Sequence, residues 1–146
     1  MEDILPAAEL SQATVREARV FATSVALDRG DGTYALAPLP TEAQLAPVYA
    51  SLVRDFDGDG HPDILLAGNL YGVQPVMGQY DASSGLLLHG LGDGRFRPDA
   101  VGPLGIDGEV RHLKTVRRSD GSALVAVARN NNSLVILQPA QSKPTR

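Results

Sequence analysis

VYASLVRDFDGDGHPDILLAGN, residues 48–69, decides how this chain is read. Asp55, Asp57, Asp59 and Asp63 place four carboxylates within nine residues, and no lysine or arginine lies inside that run. Like charges so close repel one another, and a hard cation relieves the repulsion. Ca²⁺ takes about six to eight oxygen ligands from flexible, carboxylate-rich loops. Gly58 and Gly60 let the backbone turn sharply enough for alternate side chains to point inward. The flanks VYASLV and DILLAGN are short apolar runs with β-branched and aromatic residues, which reads as a strand on each side. An EF-hand is excluded: it needs two helices and a bidentate Glu at its twelfth position, and the twelfth residue from Asp55 is Leu66. The expected site is a strand–loop–strand calcium loop. Its side-chain ligands are Asp55, Asp57, Asp59 and Asp63, and the backbone carbonyl of His61 takes the seventh position. The alternative is a solvated acidic turn rich in Asp and Gly.

Outward from this loop the chain repeats itself. RGDGTY at 29–34 returns as LGDGRF at 91–96, with Asp93 lying 62 residues after Asp31. LLAGN at 65–69 returns loosely as AVARN at 126–130, and Asp59–Gly60 falls on Asp120–Gly121, both 61 residues on. Landmarks that share one period indicate a repeat architecture. The second copy of the loop, VRRSDGSAL, has lost every other acidic ligand and is expected to be a metal-free turn. Between the landmarks, the 15 glycines and 10 prolines separate short apolar runs, an all-β signature.

The D-x-D-x-D-G-x-x-D loop followed by an apolar strand resembles the FG-GAP/VCBS repeat, which builds the calcium-binding blades of integrin alpha-chain propellers and of many secreted bacterial proteins. LDRGDGTYALAPLP (27–40) is similar to the glycine turn and outer strand of one repeat, and HGLGDGRFRP (89–98) to the next. The longer stretch 39–72 is similar to repeats near the end of secreted VCBS proteins of the ASPIC/UnbV-associated type. The resemblance spans about residues 20–137; its specific part is the calcium loop. It implies an all-β chain of propeller-type, four-stranded antiparallel blades. The expected segments are a partial blade at 20–40, a full blade at 47–101 and a partial blade at 109–137. About nine strands result, whereas a closed propeller needs at least about sixteen, so a partial propeller of about two blades is expected. Before it, residues 1–19 are expected to hold a short helix over 7–19 with Ser11 as its cap. Residues 138–146 are expected to be a disordered tail.

Composition narrows the function classes. A chain of 146 residues with 43% hydrophobic content supports one domain with a real core. A net charge of −4 gives no reason to invoke nucleic acid. The densest basic run, RHLKTVRR (111–118), has no aromatic residue for base stacking and reads as an exposed strand face. No apolar run approaches membrane-span length. With no cysteine, disulfides are excluded and the redox compartment is open. MEDILPAAEL lacks a signal-peptide pattern. That leaves either an intracellular chain or a piece of a larger exported protein with its front removed; the FG-GAP/VCBS resemblance implies the second, secreted or at the cell surface.

Other motifs carry less. Arg29–Gly30–Asp31 spells the tripeptide that integrins recognise, but it overlaps the GDG turn that the repeat itself requires. His61, His89 and His112 show no paired ligand spacing for zinc and read as surface or turn histidines. Ser83–Ser84–Gly85 is not a nucleophile elbow. Asp81 with Asp107 or Glu109 is the one candidate carboxylate pair for glycoside chemistry. Residues 68–85 form a long connection carrying Tyr71, Pro75, Met77, Tyr80 and Asp81. It is read either as a binding loop or as a segment packing its aromatics over the blade edge. The expected function is non-enzymatic: a calcium-stabilised repeat segment serving as a scaffold for protein or carbohydrate contact. Alternatives are an accessory domain of a secreted carbohydrate-active enzyme, and a homo-oligomer whose copies share blades to complete a ring.

Overall fold

The computed structural model describes residues 11–14 and 16–138. Among them, nine strands form three antiparallel sheets in chain order. Strands β1 (Ser24–Asp28) and β2 (Tyr34–Pro38) make a hairpin. Strands β3 (Val48–Arg54), β4 (Asp63–Gly68), β5 (Leu86–Gly90) and β6 (Phe96–Pro98) follow one another in a four-stranded sheet. Strands β7 (Val110–Arg117), β8 (Ala123–Arg129) and β9 (Val135–Leu137) make a three-stranded sheet. Short 3₁₀ turns at Thr41–Gln44 and Pro75–Met77 interrupt the connections.

β4 explains why the sheets stack. Every residue of DILLAG is buried, and a strand covered on both faces reads as a continuous apolar run rather than an alternating one. Successive side chains leave a strand on opposite faces. Ile64 and Leu66 accordingly join Leu39, Ala43 and Leu88, with Val25 of the hairpin packed against them. Leu65 and Ala67 face the other way, into Ala50, Val110, Leu113, Val125 and Val127. Two cores therefore sandwich the middle sheet. Full burial of an aliphatic side chain such as Leu88 contributes roughly 1.5–3 kcal/mol. At the end of β4 a β-carbon on Gly68 would sit 1.7 Å from the Pro47 carbonyl oxygen, so only glycine fits there.

The expected N-terminal helix is corrected. Residues 11–14 and 16–19 hold no helix, and their side chains are exposed; residues 7–10 and 15 lie outside the described residues. An isolated helix this short is marginal in water unless one face is buried, and the described residues of this segment bury none. The tail expected to be disordered also lies outside the described residues from 139 onward. Among the described residues, no helix is long and apolar enough to cross a membrane.

Candidate metal centre

Asp63 anchors the acidic loop. It opens β4, is fully buried, and accepts two backbone hydrogen bonds: Phe56 N–H donates to Oδ2 (2.8 Å) and Gly90 N–H to Oδ1 (2.9 Å). One carboxylate thus ties the start of the loop to the end of β5. That approach is close, since a β-carbon on Gly90 would lie 2.2 Å from the Pro62 carbonyl oxygen. A buried carboxylate is tolerated only when its oxygens are satisfied, and the two N–H groups supply that.

The other three aspartates curl inward on positive-φ glycines. Gly58 and Gly60, at φ 82° and 88°, donate to Asp55 Oδ1 (2.6 Å) and Oδ2 (3.0 Å). Asp59 N–H donates to Asp57 and His61 N–H to Asp59. Asp55, Asp57 and Asp59 each offer an oxygen within 4.8 Å of the others. Among the described residues no lysine or arginine forms an ion pair with any of the loop's four aspartates. Arg54 lies instead with its guanidinium over the Phe56 ring, 5.5 Å from the centroid. The exposed His61 rests its ring against Gly92.

Two participants, His89 and Asp99, escape sequence reasoning. His89, expected at the surface, is buried on β5, whereas His61 and His112 are exposed. Its Nδ1 lies 3.2 Å from Asp57 Oδ2 and 3.5 Å from Asp63 Oδ1, and its Nε2 lies 3.6 Å from Asp99 Oδ2. The structure thus sorts the predicted ligands into two groups that share Asp57: Asp55–Asp57–Asp59, and Asp57–Asp63–His89. The signal for His89 was the strand register. Ile64 faces Leu88 and Leu65 faces Leu87, and one further step sets Asp63 opposite His89.

The remaining acidic groups are held within the protein's own hydrogen bonds. Asp31, Asp93 and Asp120 each sit in a glycine turn and accept from the backbone N–H two residues on. The Thr33 hydroxyl, the Arg95 guanidinium and the Ser122 hydroxyl respectively add a second bond, and these bonds hold all three carboxyls below the usual aspartate range. Asp31, the acidic member of the Arg-Gly-Asp tripeptide, is therefore already engaged. Glu109 is buried and accepts from Tyr71 N–H (2.9 Å), Asn130 Nδ2 (2.9 Å) and Arg111 (2.8 Å). These lower its pKa, the Tyr71 bond most. Asp107 pairs with Arg129.

The connection 68–85 is fastened at its base. Leu70 and Tyr80 exchange backbone hydrogen bonds. Asn69, buried at φ 80°, donates to the carbonyls of Ser83 and Gly108 and accepts from Ser83 N–H. On this connection the Val76 and Tyr80 side chains are exposed. No protein-family model, curated protein or solved structure matches the chain.

Proposed function

We propose that the chain is a calcium-stabilised segment of an FG-GAP/VCBS-type β-propeller that works as a non-enzymatic scaffold for a protein or carbohydrate partner. The observation that carries this reading is the convergence of the Asp55, Asp57 and Asp59 carboxylates with no lysine or arginine ion pair among the described residues. The donor set is all oxygen and suits a hard cation. Asp55, Asp57 and Asp59, with the His61 carbonyl and Asp63, would hold it. Bound calcium would neutralise the clustered charge and fix the loop between β3 and β4, which in turn holds β5 through Asp63. The propeller part is supported by three antiparallel sheets stacked in chain order, the middle one four-stranded, with β7 packed against β3 and β4.

The outer sheets leave apolar flanks: Tyr34 and Leu36 on one side, Val116, Leu134 and Ile136 on the other. Such faces call for cover, and neighbouring blades are the cover this reading implies. We propose that copies of the chain supply it head to tail. Light scattering at micromolar concentration should give a mass above one chain; a stable, well-folded monomer contradicts blade sharing. For partner contact, the exposed Val76 and Tyr80 on the fastened 68–85 connection are the first place to look. The calcium reading itself is tested by melting the protein in calcium and in EDTA, beside an Asp57→Ala variant.

A further inference from the structure

His89 has no part in a calcium loop, because calcium sites are built from oxygen. Yet it is nine-tenths buried, at 9% exposure, and its Nδ1 is sealed from solvent without a hydrogen-bond partner. That nitrogen lies 3.2 Å from a carboxylate oxygen of Asp57 and 3.5 Å from one of Asp63. We propose that Asp57, Asp63 and His89 form a second cation site, suited to a first-row transition ion of the Zn²⁺ type, with Asp57 Oδ2, Asp63 Oδ1 and His89 Nδ1 as its protein ligands.

The spacing fits. Zinc bonds to nitrogen and oxygen of about 2.0–2.2 Å set tetrahedral ligand edges of roughly 3.3–3.5 Å. Nδ1 of His89 lies 3.2 Å from the Asp57 oxygen and 3.5 Å from the Asp63 oxygen. All three atoms lie within 4.8 Å of one another. Three protein ligands leave the fourth position to water. Asp57 is on the loop with its side chain 39% exposed, so the site opens to solvent on one side while Asp63 closes it on the other. Asp63 is preset for the task, because Gly90 N–H takes one lone pair of Oδ1 and leaves another directed elsewhere.

The surroundings fit as well. A metal-bound histidine commonly offers its other ring nitrogen to a carboxylate, which fixes the tautomer. The Nε2 of His89 faces Asp99 Oδ2 at 3.6 Å. Three carboxylates around one imidazole leave surplus negative charge even when the ring is protonated, and a divalent ion offsets more of it than a proton does. Arg54 sits opposite Asp63 in the β3–β4 register but forms no ion pair with it, so the surplus is not relieved from that strand. Imidazole nitrogen selects zinc, copper, iron or nickel over calcium and magnesium.

The site does not depend on the calcium reading, although it shares Asp57 and Asp63 with it. The test is a titration of the full chain with Zn²⁺, and with Co²⁺ as an optical reporter, in calcium-free buffer. We expect one ion per chain and Co²⁺ visible bands that vanish in His89→Gln, with at least a tenfold loss of Zn²⁺ affinity. Asp99→Asn should weaken binding by about 10- to 100-fold. Asp55→Ala should weaken calcium binding and leave zinc binding unchanged, which separates failure of one site from failure of the other. Should His89→Gln fail to fold, ¹⁵N spectra of the native chain decide: zinc must shift Nδ1 of His89. Absence of zinc binding, equal binding in His89→Gln, loss in His61→Gln or His112→Gln instead, or an unmoved Nδ1 overturns the proposal and leaves a histidine–aspartate ion pair.

Discussion

The loop from β3 to β4 and the turn from β7 to β8 each join the first strand of a sheet to its second, and Asp59–Gly60 in one corresponds to Asp120–Gly121 in the other. In the shorter turn a single carboxylate is engaged locally: Asp120 Oδ1 accepts from Ser122 N–H at 2.8 Å and from its hydroxyl at 2.6 Å. In the longer loop the same local bonds recur, but three further aspartates join, and the oxygens of Asp55, Asp57 and Asp59 converge with no lysine or arginine ion pair among the described residues. An Asp–Gly turn therefore needs no ion. What distinguishes the first loop is carboxylate in excess of what its own backbone can satisfy.

The largest expected difference lies at the end of the loop. Where β4 begins with buried Asp63, the position 61 residues on is Leu124. Asp63→Ala strands the N–H groups of Phe56 and Gly90, at about 1–3 kcal/mol for each unsatisfied buried group. We expect a loss of about 2–4 kcal/mol in urea unfolding even in EDTA, and a larger loss in calcium, where the ion's contribution goes as well. A loss confined to calcium buffer would mean that Asp63 serves the ion alone.

A smaller effect is expected in the second turn. Asp120→Ala removes two solvent-exposed hydrogen bonds and should lower stability only slightly, equally with and without calcium. Ser122 holds the Asp120 carboxyl below its ordinary value of 3.8. A depressed native pKa stabilises the fold above the ordinary value, and that contribution is lost as pH falls through the lowered native one. Melting curves of the native chain and Asp120→Asn should therefore differ most above pH about 3.8 and converge below it. A gap that widened in acid would contradict the hydrogen-bond account.

Much of this contrast is legible in the sequence because it is local. The all-β character follows from apolar runs such as DILLAGN and ALVAVAR set between glycine turns, and the spacing of Asp55, Asp57 and Asp59 alone brings them together. Of the helix expected over 7–19, the described residues 11–14 and 16–19 hold none, because propensity without a buried face does not hold so short a segment. His89 was missed for a different reason. Its neighbours Asp57 and Asp63 come from another strand and loop, and the β4–β5 register that joins them spans the long 69–85 connection. Asp63 itself was read only as a ligand, because its role as acceptor for Phe56 and Gly90 N–H depends on that same pairing. The bond from Asn69 to the Gly108 carbonyl, between sheets, was invisible likewise.

The central claim is that the acidic loop takes calcium, and thermal melting with and without the ion tests it most directly. Extracellular calcium modules bind at about 10⁻⁴–10⁻³ M, so about 2 mM Ca²⁺ contributes roughly 0.6–1.8 kcal/mol by linkage. For a chain of this size that is a rise of about 1–7 °C in Tm. The account predicts this rise in the native chain and in Asp120→Ala, its reversal by EDTA, and its absence in Asp57→Ala. A melting temperature indifferent to calcium and chelator in the native chain would contradict it.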